Sequence, residues 1–150
     1  MKLLFDANIP RKSQVAVAAI FGNHTFIPAW EPPFNPYMQD IELIRTASAH
    51  GIDVIITHDL AQIEGLDRRD ERRTLEECGL HWLGLPQPFK VPGARAKAGL
   101  VAGSLTSNLE YALKIFRAAK EPTAVLLKPA PPLLRSSAFT LRLFGFRHAR

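Results

Sequence analysis

Apolar residues gather in short continuous runs along this chain, and two of the runs lead into an aspartate. Leu3-Leu4-Phe5 stops at Asp6. Val54-Ile55-Ile56-Thr57-His58 stops at Asp59. Uninterrupted apolar runs of this length, bounded by turn residues, are the pattern of strands buried on both faces of a parallel sheet. The rest of the chain alternates around them. Residues 2–5 predict a first strand. Pro10 fits the first turn of a helix carrying Val15, Ala18, Ala19 and Phe21, and Gly22-Asn23 ends it. Residues 24–27 predict a second strand. Asp40 opens a helix with Ile41, Leu43, Ile44 and Ala47 on one face, closed by Gly51, and residues 52–57 form a third strand. Asp67 reads as the N-cap of a helix reaching Cys78, with residues 80–85 as the fourth strand. A largely helical stretch follows over residues 94–120, with a break expected near Gly103-Ser104. Strands are then expected at residues 123–127 and, half-exposed by its alternation, at 138–144.

The order strand–helix–strand predicts an α/β domain with parallel crossovers. Three connections stand apart from it. Residues 28–36 hold Pro28, Pro32, Pro33 and Pro36 with Trp30 and Phe34, and Tyr37 follows. Proline keeps such a segment extended, and its aromatics either stack on a base or partner, or cover the sheet edge. Residues 86–93 and 130–132 are turn-rich connectors. No internal repeat or interdomain linker interrupts the 150 residues, which bound a single domain.

In open α/β sheets ligands bind beyond the carboxyl ends of the strands. If the strands ending at Asp6 and Asp59 lie side by side, the two carboxylates converge there. Unpaired carboxylates at close range repel, which raises a pKa or recruits a cation. Mg²⁺ suits one or two carboxylates plus water, and such an ion serves phosphate chemistry. Each acid also has a plainer reading, Asp6 as cap of the helix at Pro10 and Asp59 as cap of the turn at Leu60-Ala61. Asp40 and Glu42 add acids in the first turn of the intervening helix. Positions two apart do not share a face, so spacing leaves open which of them turns toward the site.

Charge divides the chain. Up to His81 there are eight Lys or Arg against twelve Asp or Glu, a net of −4. From Trp82 onward eleven basic residues face only Glu110 and Glu121, a net of +9. An acidic half and a basic half fit a cation site beside a surface for a polyanion. The alternating Arg68-Arg69-Asp70-Glu71-Arg72-Arg73 run reads as a solvated, salt-bridged helix face. The chain has no G-x-x-x-x-G-K-[ST] loop, no G-x-G-x-x-G after a strand and no G-x-S-x-G elbow. Its five histidines lack metal-ligand spacing, and His58 reads as a packing or surface residue. A phosphoaspartate mechanism would want a carboxylate two residues after Asp6, where Asn8 stands. One cysteine, Cys78, demands no oxidising compartment, and no apolar stretch approaches a bilayer span. A cytoplasmic protein is expected, with no membrane partner.

Taken together, residues 3–10, 39–44 and 54–59 resemble the PIN-like nucleases, in particular the PIN-like branch of VapC-type toxins. The resemblance covers roughly residues 1–90. It implies a three-layer α/β/α fold with a mainly parallel sheet, to which this chain's own pattern adds a basic C-terminal helix-plus-strand extension over residues 91–150. It also implies Mg²⁺- or Mn²⁺-dependent cleavage of RNA. Carried over by position, it implies metal-site roles for Asp6, Asp40 or Glu42, and Asp59, with Asn8 and Thr57 as polar helpers. Asp67 and Asp70 are the nearest candidates for a further late acid. A cognate antitoxin protein and a homodimer are the partners it implies. The alternative is a PIN-like module that binds RNA or protein without cutting.

Overall fold

The computed structural model describes residues 1–86, 93–128 and the strand at residues 140–145. Strands β1 (Lys2–Phe5), β2 (Thr25–Pro28), β3 (Val54–Thr57), β4 (His81–Gly84), β5 (Thr123–Lys128) and β6 (Thr140–Gly145) form one sheet in the order β2-β1-β3-β4-β5-β6. The first five are parallel, and β6 returns antiparallel to β5. Helices α1 (Arg11–Ile20), α2 (Asp40–Ala49), α3 (Ala61–Glu64), α4 (Arg69–Glu77) and α5 (Ala94–Ala118) make the connections.

Side chains alternate across the sheet with the period of two that extended backbone imposes. Leu3, Phe5, Val54, Ile56, Leu83 and Val125 meet Val17 of α1 and Leu105, Leu109, Leu113 and Phe116 of α5. Leu4, Ile55, Trp82 and Ala124 turn the other way, against Leu43, Ile44 and Ala47 of α2 and Leu75 of α4. With helices on both faces, β1 and β3 have no wet side. That is why their sequences are continuous rather than alternating.

Several expectations change. The stretch after Asp59 forms a short helix, α3, that no sequence signal announced. Helix α4 starts at Arg69, with Arg68 at the N-cap and no side-chain cap, so Asp67 does not cap it. The corner is closed instead by Arg72, whose Nη1 donates to the carbonyls of Gln62, Ile63 and Gly65. Helix α5 runs unbroken through Gly103-Ser104. A helical glycine costs only about 1 kcal/mol, which the buried stripe from Val101 to Phe116 offsets. Ser104 Oγ bonds back to the Leu100 carbonyl at 2.7 Å without interrupting the helix.

The aromatic loop divides its roles. Phe34 is buried in the α2-side core, Tyr37 is 88% exposed, and Trp30 lies half-buried beneath the Arg11 guanidinium, 4.4 Å from its ring centroid. The connector expected at residues 130–132, most of the one at 86–93, and the side chains of the expected half-exposed strand lie outside the described residues. Among the described residues no helix is long and apolar enough to cross a membrane.

Candidate functional site

The strand order reverses direction at β1. From β1 the chain moves outward to β2; from β3 it moves the other way to β4. The crevice at such a point opens beyond the carboxyl ends of the two strands. Register pairs Phe5 with Ile56, which sets Asp6 level with Thr57. The Asp6 amide continues the ladder, donating to the Ile56 carbonyl at 3.0 Å. Asp6 follows Leu4 in the period of two, and Thr57 follows Ile55, so both turn toward the α2–α4 side.

Asp6 is held by three donors. Thr57 Oγ1 donates to Oδ2 at 2.6 Å, Asn8 Nδ2 donates to the same oxygen at 2.7 Å, and the Ala7 amide donates to Oδ1 at 2.6 Å. Asn8 also accepts the His58 amide, at 3.0 Å, which clamps the β1 turn to the β3 turn. Thr57 Oγ1 accepts the Asp59 amide at 3.0 Å. Thr57 and Asn8 thus join the two strand-ending acids. Helix α1 has no side-chain cap, so the plain capping reading of Asp6 is not realised. That of Asp59 is realised in part, since its Oδ1 accepts the Ala61 amide at 3.1 Å. His58 is a packing residue, buried with Nδ1 2.7 Å from the Leu85 carbonyl; burial pushes its pKa down.

Of the two acids left open on α2, Asp40 is the one bonded into the cluster. Its Oδ1 accepts from Gln62 Nε2 at 3.2 Å and its Oδ2 from Arg68 Nη1 at 3.0 Å. Gln62 is oriented from behind. Trp82 Nε1–H can only donate, so it takes Oε1 of Gln62, at 3.0 Å, and leaves the amide nitrogen facing Asp40. Glu42 is exposed on a different side of α2.

A fourth acid comes from α4. Glu71 is buried, bonded through Oε1 to Arg68 Nη1, and its Oε2 is buried without a hydrogen-bond partner. The charge-run reading of residues 68–73 therefore fails at this position, while it holds for the exposed Arg73–Glu77 pair at 2.7 Å. Asp67 and Asp70, the late acids nearest by sequence, are exposed. Glu71 shares the helical stripe of Thr74, Leu75 and Cys78, positions three, four and seven further on. That spacing was the signal available in the sequence for an inward-facing acid. Gln62 and Arg68 carried no comparable signal.

The acids feel one another. Burial raises the Asp6 pKa above the ordinary carboxylate range; bonds from Thr57 and Ala7 pull it back, and the charges of Asp40 and Asp59 push it up. Glu71 is raised for the same first reason, with Arg68 opposing and Asp40 and Asp59 adding to the rise. A carboxylate whose pKa is raised in the folded state binds more protons there than in the unfolded chain. Its contribution therefore increases stability as pH falls from neutral through the folded pKa. In metal-free buffer the wild type is expected to gain melting temperature relative to Glu71→Gln as pH is lowered from neutral. His58 and His81, whose pKa values burial lowers, act in the opposite sense in both proteins, and Glu110, held low by the bond from His24, does so only at lower pH. Melting-temperature profiles that run parallel in the wild type and Glu71→Gln would contradict the burial of this charge.

The donors here are carboxylate, hydroxyl and amide oxygens, the chemistry a hard cation takes. The partnerless oxygen of Glu71 also fits an incoming cation, since buried polar atoms ordinarily have partners. Among the described residues no three His, Cys, Asp or Glu side chains are already assembled as a metal-holding group. The Arg68 guanidinium stands between Asp40 and Glu71. Fold and site together define an α/β domain with a five-stranded parallel core and an acid cluster at its switch point. The chain matches no protein-family model, and no curated protein is similar enough to count as a relative.

Proposed function

We propose that this chain is a PIN-like, metal-dependent endoribonuclease that acts in the cytoplasm as the toxin of a toxin–antitoxin pair. The observation that carries the reading is that Asp6 and Glu71 both feel the charges of Asp40 and Asp59, acids from four separate segments, while one buried Glu71 oxygen has no partner. Asp6, Asp40, Asp59 and Glu71 would hold Mg²⁺ or Mn²⁺. When bound, that ion supplies an activated water and charge stabilisation for phosphodiester hydrolysis. Thr57 and Asn8 fix the Asp6 oxygens, and Gln62, backed by Trp82, fixes Asp40.

Substrate choice follows charge. Helices α1 and α5 both begin at the carboxyl edge of the sheet, tied together by Ser13 Oγ donating to the Ala98 carbonyl at 2.9 Å. Arg11, Lys12, Arg95 and Lys97 are exposed there. A basic rim beside an acidic cleft holds an RNA backbone while the acids work on one phosphate. An antitoxin protein and a second copy of the chain are the partners this reading implies.

Titration with Mn²⁺ tests it. A native-state ligand at a hundredfold excess over its Kd is worth about 2.7 kcal/mol, or a rise of roughly 5–10 °C in melting temperature for a domain of this size. RNA cleavage should appear with the metal and vanish in EDTA. An unmoved melting temperature, with cleavage undiminished in EDTA, would overturn the reading. The second reading, a binding module, is favoured by the guanidinium inside the acid cluster. Its signature is RNA binding that weakens with salt, ignores divalent metal and yields no cleavage.

A further inference from the structure

Arg68 is the one cation bonded to the acid cluster among the described residues. Its Nη1 donates to Asp40 Oδ2 at 3.0 Å and to Glu71 Oε1, so a single group answers acids from two helices. The two partners differ in depth. Side-chain exposure is 36% for Asp40 and 10% for Glu71, and Arg68 itself is 35% exposed. The guanidinium therefore reaches inward from the surface along a path open to water. Arg72, four residues on, is fixed differently, by three backbone carbonyls that close the α3–α4 corner. That anchor lets Arg68 leave without releasing α4. Meanwhile Glu71 Oε2 keeps a buried lone pair that Arg68 does not satisfy.

We propose that Arg68 is a built-in counter-ion, seated between Asp40 and Glu71 in the metal-free protein and displaced into solvent when a divalent cation takes those carboxylates. The inference rests on the reading of the cluster as a metal site. A guanidinium and a divalent cation bonded to the same two carboxylates repel at contact distance, so binding of one requires departure of the other. A long, flexible, part-exposed side chain can make that exchange by rotation of its own bonds. The device keeps Asp40 and Glu71 paired before any metal arrives. It also releases a positive charge at the mouth of the site once the metal is in place, where a substrate phosphate would lie.

Calorimetric titration with Mn²⁺ of the wild type and of Arg68→Gln tests the competition. Glutamine keeps a donor for Asp40 and removes the charge. The variant is expected to bind Mn²⁺ at least tenfold more tightly. A measurement on the unaltered chain covers the case of a variant that does not fold. In ¹⁵N spectra of the wild type, the protected guanidinium signal assigned to Arg68 should be lost on titration with Mg²⁺ as the group enters solvent, while that of Arg72 persists. Equal Mn²⁺ affinity in wild type and Arg68→Gln, or an Arg68 guanidinium signal that persists at Mg²⁺ saturation, overturns the proposal alone. Absence of Mn²⁺ binding by both proteins overturns the metal-site reading with it.

Discussion

Asp59→Asn is expected to lower metal-dependent RNA cleavage by about 100-fold or more, since even outer-shell changes at metal sites cost about 10–100-fold. The melting temperature should stay within a few degrees of wild type. The substitution keeps an oxygen for the Ala61 amide, and the Asp59 amide still donates to Thr57 Oγ1. What it removes is a negative charge at the carboxyl end of β3. Asp40→Asn should behave alike, because Asp40 is the α2 acid bonded into the cluster. Glu42→Gln, at an exposed position, should cut RNA at the wild-type rate. Gel-resolved cleavage of a labelled RNA in Mg²⁺ ranks all three. Wild-type cleavage by Asp59→Asn, with the fold intact, would refute the assignment of the site.

The largest effect on stability is expected at Trp82. Its ring is among the most fully buried side chains and lies across Gly84, where an added Cβ would stand 2.1 Å from the ring. Trp82→Ala opens a cavity at the centre of the α2-side core, a loss of about 3–5 kcal/mol, or roughly 10 °C or more in melting temperature. Trp82→Phe separates packing from bonding. It keeps most of the ring but strips Gln62 Oε1 of its donor, and a buried acceptor left alone costs about 1–3 kcal/mol. Urea unfolding of the two variants measures both losses. Because Gln62 is the link to Asp40, Trp82→Phe should also weaken Mn²⁺ binding, an effect that packing alone does not explain. A Trp82→Ala protein that loses less than about 1 kcal/mol would show that the ring is not a core element.

What could be read ahead of the structure follows the physics of each element. The runs at Leu3–Phe5 and Val54–Ile56 were legible because strands buried on both faces admit only apolar residues. Asp6 and Asp59 stood out because they interrupt those runs at the point where the sheet ends. Parallel pairing followed from the helices between strands. Helix α3 was not legible, since four residues carry too little pattern. The choice between Asp40 and Glu42 was closed to spacing and was made by Gln62 and Arg68, residues distant in sequence. Glu71 was concealed by composition. A run of seven charged residues, Asp67 to Arg73, resembles a wet surface, and only its helical phase relative to Leu75 marks one member as buried. Side-chain phase on a charged helix therefore deserves the same scrutiny as phase on an apolar one.

The bonds that define the cluster span long stretches of chain. Asp6 meets Thr57 across a separation of 51 residues, Asn8 meets the His58 amide across 50, and Asp40 meets Arg68 across 28. The first two form only when β3 has docked beside β1, and the third only when the start of α4 lies against α2. An incomplete chain still emerging during synthesis consequently has the acids but not their arrangement. Completion of the cluster therefore reports that β1 has paired with β3 and that α2 and α4 have met.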